Sequence, residues 1–457
     1  MSAHCGALTR LAWSALGSEV AGADQVIFTG MGALPSAFAV TDLAAAAIAT
    51  AALSLAELIR EVGAEPTVEV DRRLSSMWFR SSLRALGWEP PPLWDPIAGD
   101  YPARDGWIRL HTNASHHRAA AERVLGAQSD RHSTARAVAG WAKSDLERAV
   151  IEAGGCAAEM RSLEDWRQHP QGNAVAGEPL VHMGASEGAY AARPVAPDRP
   201  LRGVRVLDLT RVLAGPVASR FLAGYGAEIL RIDSPDWDEP GIVPEVTLGK
   251  RCTRLDLRDP ADRARFVQLL AQADILLHGY RPGALAGLGF DAAARRRLSP
   301  ALIDVSLDAY GWSGPWSHRR GFDSLVQMSA GIADYGMRCA GAQQPVPLPV
   351  QALDHASGYL AAAAAIRGLT LRMRRGVGTE ARLSLARTAQ WLIDHCSEGE
   401  EPPLAQETDS DRAPQIELTD WGPGQRLWPP VRISGAPMQW DLPASALGSA
   451  PPLWCGE

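Results

Sequence analysis

From Val204 onward the chain alternates short apolar runs of strand length with amphipathic stretches of helical length. The runs are VRVLDL (Val204–Leu209), EILRID (Glu228–Asp233), DILLHG (Asp274–Gly279) and ALIDVSL (Ala301–Leu307). Between them lie VASRFLAGYG (Val217–Gly226) and DPADRARFVQLLAQA (Asp259–Ala273). Strands separated by helices pair in parallel, so the alternation predicts a parallel sheet covered by helices.

At 457 residues the chain is too long for one ordinary core and reads as roughly two or three domains. Its 46% hydrophobic and 21% charged residues are those of a globular protein, and no uncharged apolar run of the ~20 residues that span a bilayer is read from it. The formal net charge of -7 comes from interspersed acids and bases, which argues against a nucleic-acid partner. Cys5, Cys156, Cys252, Cys339, Cys396 and Cys455 show no CxxC spacing, so neither a zinc site nor a disulfide framework is expected. The start MSAHCGALTRLAW lacks the pattern of an export signal, and the expected location is cytoplasmic, away from membranes.

Pro and Gly punctuate the chain at Glu89–Gly99, Gly184–Leu201 and Ser397–Pro414, the middle stretch being the best linker. A repeat refines the division. TDLAAAAIATAAL, VGAE and Trp78 in the N-terminal part correspond to LDHASGYLAAAAAI, VGTE and Trp391, with Asp42 matching Asp354. The unit is an acid, an Ala-rich helix, a Gly turn, a strand and a second helix. Residues 1–90 are read as a partial copy of it, 91–190 as a small α/β domain, and 200–397 as the sheet domain. Residues 398–457 are a Pro-rich segment expected to pack back on the fold. Within the small domain, Ser144 and Glu147 have capping-box spacing.

Three features offer chemistry. The turn after VRVLDL lacks GxGxxG, with only Gly215 nearby, which disfavours a nicotinamide cofactor. A phosphate-bearing ligand at the helix beginning near Gly215-Pro216 stays open beside a plain strand-to-helix connection. His111, His116 and His117 cross a loop-to-helix junction, so surface or capping roles outweigh a metal site. Asp354 precedes the Ala-rich helix and reads either as its N-cap or as a carboxylate kept charged by the helix dipole and able to attack an activated carbonyl. Ser357 and Gly358 would then leave room for substrate.

Five motifs in order over Pro200–Trp391 resemble the family III CoA transferases, the formyl-CoA and carnitine-CoA type. They are PLRGVRVLDLTRVLAGPVASRFLAGYGAEILRID, GKRCTRLDLRDP, ADILLHGYRPGALAGLGF, SLDAYGWSGPWSHRRGFDSLVQMSAG and LDHASGYLAAAAAI. DGWIRLHTN and AGGCAAEMRSLEDWRQHPQG resemble the segment that follows the catalytic unit in that family, so the halves stand in swapped order with the acid-plus-helix unit duplicated.

The resemblance implies a Rossmann-like parallel sheet domain with helices on both faces plus a smaller α/β domain. It implies an enzyme moving coenzyme A, its thioester substrate, from an acyl-CoA to a carboxylic acid acceptor through an aspartyl anhydride and an aspartyl-CoA thioester, without a metal. It carries the nucleophile onto Asp354. It carries CoA binding onto Leu213 and Ala214; Leu255, Asp256, Leu257 and Arg258; Gly279, Tyr280 and Arg281; and Arg320, Gly321, Phe322 and Asp323. A homodimer is implied as well. Ser234 and Gly287 stand where the family often has arginines, and Phe322 stands where related racemases have a proton-transferring His. Asp42 is read as a structural counterpart of Asp354. An acyl-CoA racemase of the same fold and a non-catalytic CoA-thioester-binding paralogue are the alternatives.

Overall fold

The computed structural model describes residues 3–18, 20–186, 194–395 and 401–456. Part of the expected linker (187–193), the 396–400 junction and Cys396 lie outside them.

The N-terminal unit comprises α1 (Ala3–Ala15), β1 (Val26–Thr29), α2 (Val40–Arg60), β2 (Val68–Asp71) and α3 (Arg72–Trp78). The small domain follows, with β3 (Gly99–Ala103), β4 (Gly106–Leu110), α4 (Ser115–Leu125), α5 (Arg131–Val138), α6 (Lys143–Glu152) and β5 (Ala157–Glu159). Its three strands form an antiparallel sheet in the order β3-β4-β5. The expected capping box of α6 does not form: the N-cap is Ala142, two residues before Ser144, and Glu147 instead receives Arg161, Arg319 and the Glu159 N–H.

The large sheet uses β6 (His182–Ser186), β7 (Arg205–Leu209), β8 (Glu228–Asp233), β9 (Lys250–Arg254), β10 (Ile275–His278), β11 (Ile303–Asp308) and β12 (Gly378–Ser384) in the order β9-β8-β7-β10-β11-β12-β6. All pairs are parallel except β6, which closes the edge antiparallel to β12, so the sheet takes a strand from the segment assigned by sequence to the small domain. The helices of this part are α7 (Ala214–Gly224), α8 (Pro260–Ala271), α9 (Asp323–Ser329), α10 (Ala352–Arg375) and α11 (Leu385–Asp394). The chain winds outward from β7 to β9 on one side and from β10 to β12 on the other. The switch between β7 and β10 opens a crevice at the carboxyl ends of the strands, where ligands of such sheets bind.

The two Ala-rich helices, α2 and α10, pack against each other and are buried nearly all round. Ala is the best helix former and lets neighbouring helices approach closely, so a helix apolar on every side belongs in a core. α2 is long and apolar enough to cross a membrane by length and composition, though Asp42 and Glu57 interrupt its apolar run, and its apolar surface is buried inside the protein. At Gly358 a Cβ would lie 2.3 Å from the Ala214 carbonyl oxygen and 2.9 Å from Val217, so this glycine seats α10 on α7. Ser357 is hydrogen-bonded to Thr388 at 2.7 Å. Both residues are used in packing rather than in making room for substrate.

α2, β2 and α3 have the same order as α10, β12 and α11. Ala39 and Gln351, which precede the two helices, adopt nearly the same conformation (φ -74°, ψ 56° and φ -76°, ψ 67°). Asp71 and Ser384 each cap the following helix through the N–H three residues on. The C-terminal strands β13 (Arg412–Thr419), β14 (Gly422–Leu427) and β15 (Val431–Ile433) return to the N-terminal unit, where β14 pairs with Leu83–Ala85 and β15 with β2.

Candidate active site

Asp354 occupies the first turn of α10 without capping it. The cap comes from Asp323 at the start of α9, whose Oδ2 accepts the Asp354 N–H at 2.9 Å and whose carboxylate also receives the Leu353 N–H. Gln327 donates to the other oxygen. Asp323 therefore takes up the free N–H groups of the helix and leaves the side chain of Asp354 unengaged by them.

Burial raises the Asp354 carboxyl well above the usual carboxylate range, and the neighbouring Asp323 charge pushes the same way. Asp323 itself is raised to about 6 by burial, opposed by its hydrogen bonds. The sequence reading has the helix terminus keep Asp354 charged; in the structure the free N–H groups go to Asp323 instead, and burial disfavours the charged form of Asp354.

Two cavities meet at Asp354. One, of about 360 Å³, lies at the switch point and is lined from the ends of β7 (Leu209–Val212), β10 (Gly279–Arg281) and β11 (Leu307–Ala309). Ala214, Gly279, Tyr280, Arg281, Arg320, Gly321 and Phe322 all line it, as the sequence reading placed them together. Leu213 faces the second cavity. Asp323 is fully buried, lines neither cavity and supports α10.

Leu255, Asp256, Leu257 and Arg258 line neither cavity. The two leucines are buried in a separate core on β7, β8 and α8, while Arg258 is exposed and paired with Asp256 at 2.8 Å. The cation that sequence reading missed is Arg211. It lies over the rings of Trp237 (4.4 Å) and Tyr280 (5.3 Å), and its Nε is buried with no hydrogen-bond partner among the described residues. Its position just after a strand at the switch point was the available signal. With Arg281 and Arg320 it makes the cavity cationic.

His116 and His117 also line this cavity, and His111 stacks on Phe322 with ring centroids 3.8 Å apart. The expected surface or capping role fails for His111 and His117, which are buried. Burial holds His111 well below its ordinary value and lowers His117 to about 3. Among the described residues no group of His, Cys, Asp or Glu could hold a metal ion.

Val212, on the boundary between the cavities, has φ 62°. A β-branched residue is strained there by about 1–3 kcal/mol and persists only when its surroundings hold it. Its N–H donates to Glu239 Oε2 at 2.8 Å, and Glu239 is held by Trp237 Nε1 and the buried Arg231.

These features define an α/β protein whose ligand cavity lies at the switch point of a doubly wound sheet, with a buried, unpaired carboxyl at the cavity's inner end. Residues 201–415 match the model of CoA-transferase family III. Acetyl-coenzyme A transferase nodX of Hypoxylon pulicicidum is 33% identical over 205 residues, 44% of this chain and 35% of its own length. Succinyl-CoA:glutarate CoA-transferase of Mus musculus is 32% identical over 214 residues, 43% of this chain and 48% of its own. The crystal structure of Rv3272 from M. tuberculosis is 32% identical, with 43% of this chain and 57% of that chain covered and a TM-score of 0.40. The chain thus spans half or less of the length of these curated relatives.

Proposed function

We propose that the protein is a CoA transferase in which Asp354 is the nucleophile. The observation that carries this reading is the placement of Asp354: a buried carboxyl, without an ion-pair partner among the described residues, where a cationic cavity meets an apolar one. Arg211, Arg281 and Arg320 suit the phosphates of CoA by charge and fork geometry.

Desolvation destabilises the carboxylate and so favours its conversion to a neutral acyl derivative. An oxygen of Asp354 attacks the thioester carbonyl, the C–S bond breaks, and the proton held by Asp354 leaves with the CoA thiol. The products of this step are a mixed anhydride and CoA. The thiol sulfur then attacks the aspartyl carbonyl, giving aspartyl-CoA thioester and releasing the first acid. The acceptor carboxylate reverses the two steps and leaves as its own CoA thioester. Asp323 positions Asp354 by fixing the first turn of α10.

The test is to incubate the protein with a panel of acyl-CoAs, trap with hydroxylamine and map the adduct by peptide mass spectrometry. A hydroxamate on Asp354, absent from Asp354→Asn, is expected. No Asp354-dependent adduct with any thioester would sink the reading.

A further inference from the structure

The second cavity, about 480 Å³, opens on the other side of Asp354. Phe79, Leu93, Trp94, Leu213, Ile242 and Val350 build its apolar wall from the N-terminal unit, the small domain's approach loop and the sheet domain. Leu93 and Trp94 remain 58% and 38% exposed. Large apolar side chains left open side by side mark a surface that something apolar covers.

Its polar lining is equally informative. Asp95 is paired with Arg118, Glu239 with Arg231, and Glu245 with Arg220 and Arg426, and none of those arginines lines the cavity. Asp238 adds a further carboxylate at the exposed rim. His111 and His355 are buried in the wall, where desolvation disfavours their charged forms. Among the described residues the one standing cation of the lining is Arg80, and it is exposed.

We infer that this cavity receives the acyl group and selects an apolar monocarboxylic acyl chain or ring over a dicarboxylic one. The inference rests on Asp354 as nucleophile: with CoA in the cationic cavity and the thioester carbonyl at Asp354, the acyl group is directed into the opposite one. A cavity of ~150 Å³ accepts benzene, so this volume suits a group of medium-chain or aryl size. The second carboxylate of a dicarboxylic acyl group would be desolvated among paired carboxylates with no buried cation to meet it. The lining therefore disfavours the short diacid named in the succinyl-CoA:glutarate relative.

The experiment is calorimetric titration of the unmodified chain with CoA, succinyl-CoA, octanoyl-CoA and phenylacetyl-CoA. Octanoyl- or phenylacetyl-CoA should bind at least about 10-fold more tightly than succinyl-CoA. Trp94→Ala should bring that ratio toward unity without changing the Kd of free CoA, and Leu93→Asp, at a more exposed position, should do the same if Trp94→Ala folds poorly. Arg80→Ala should leave the ratio unchanged. Equal or tighter binding of succinyl-CoA, or discrimination that survives both wall variants, overturns the inference. Discrimination in binding with no hydroxylamine-trapped adduct would instead overturn the transferase reading and leave the assignment of this cavity standing.

Discussion

Arg72 clamps Asp42: its Nη2 and Nε lie 2.5 Å and 3.1 Å from one carboxylate oxygen, and Cys5 donates to the same oxygen at 2.9 Å. Arg72 is the first residue of α3, after the cap residue Asp71. In the second unit the first residue of α11, after the cap residue Ser384, is Leu385, which lines the cavity with Asp354. The same backbone arrangement thus presents one acid neutralised by a cation and another facing a ligand cavity. Leu385→Arg should reproduce the first situation in the second. An arginine there would hold Asp354 as a paired carboxylate, which has to be broken before attack. Breaking a buried pair costs about 3–5 kcal/mol, so adduct formation should fall by roughly 100-fold or more. Single-turnover trapping with hydroxylamine measures this.

The reciprocal change, Arg72→Leu, should destabilise the protein without touching the reaction. It takes the arginine away from Asp42, which is buried, and removes a link from Arg72 to Glu401. The expected loss is about 3–5 kcal/mol, because a buried carboxylate loses its arginine. Asp42→Asn added to Arg72→Leu should recover part of it, since a neutral amide is less costly to bury than a carboxylate that has lost its cation. Urea denaturation of the single and double variants checks both points, and the yield of Asp354 adduct per folded molecule should not change.

What was legible in the sequence was periodic or local. The alternation after Val204 is a property of strand and helix length, and the glycines and arginine of HGYRPG follow the end of β10, where a parallel sheet places its ligands, while RRGF lies in the loop that leads into α9. What was hidden depended on partners far along the chain. A capping role is the natural reading of an acid before an Ala-rich helix, yet the capping carboxylate comes from Asp323, on a separate helix. RLDLR alternates apolar and charged residues, which shows that its leucines turn inward but not that Asp256 has taken up Arg258. His117 looked like a surface residue because α4 carries many polar groups. Its burial follows from the sheet domain packing over that helix, with Phe322 against its ring.

Asp354 should also leave a mark on the pH dependence of stability. Its folded-state proton affinity is raised above that of the unfolded chain, so the folded state holds the proton longer. The resulting stability is present below the unfolded pKa and is lost as pH rises through the folded one. Asp323, raised to about 6, and Asp308, raised to about 8 by burial, act in the same sense. The native protein should therefore weaken between about pH 4 and about pH 8 through these groups. Asp354→Asn, neutral throughout, should gain on it steadily as pH rises over that range. Denaturant titrations at several pH values measure the difference. A gap independent of pH would show that Asp354 is ionised in the folded chain.

CoA affinity separates the arginines by placement rather than by motif. Arg211 is fixed between Trp237 and Tyr280, and Arg320 lines the same cavity, with one hydrogen bond to the Gly154 carbonyl. Arg258 is already satisfied by Asp256 and lies outside the cavity. Arg211→Ala should weaken CoA binding by about 10-fold or more, as expected for losing a charge-assisted contact worth about 1.5–3 kcal/mol. Arg320→Ala should have a similar effect, reduced by the exposure of that side chain. Arg258→Ala should leave the Kd within about twofold, because surface ion pairs contribute little. Raising the salt concentration should weaken the unmodified chain more than Arg211→Ala, since fewer screened contacts remain in the variant. Isothermal titration with free CoA tests all of this without requiring turnover. A large loss in Arg258→Ala with none in Arg211→Ala would place the phosphates on the RLDLR turn instead of at the switch point.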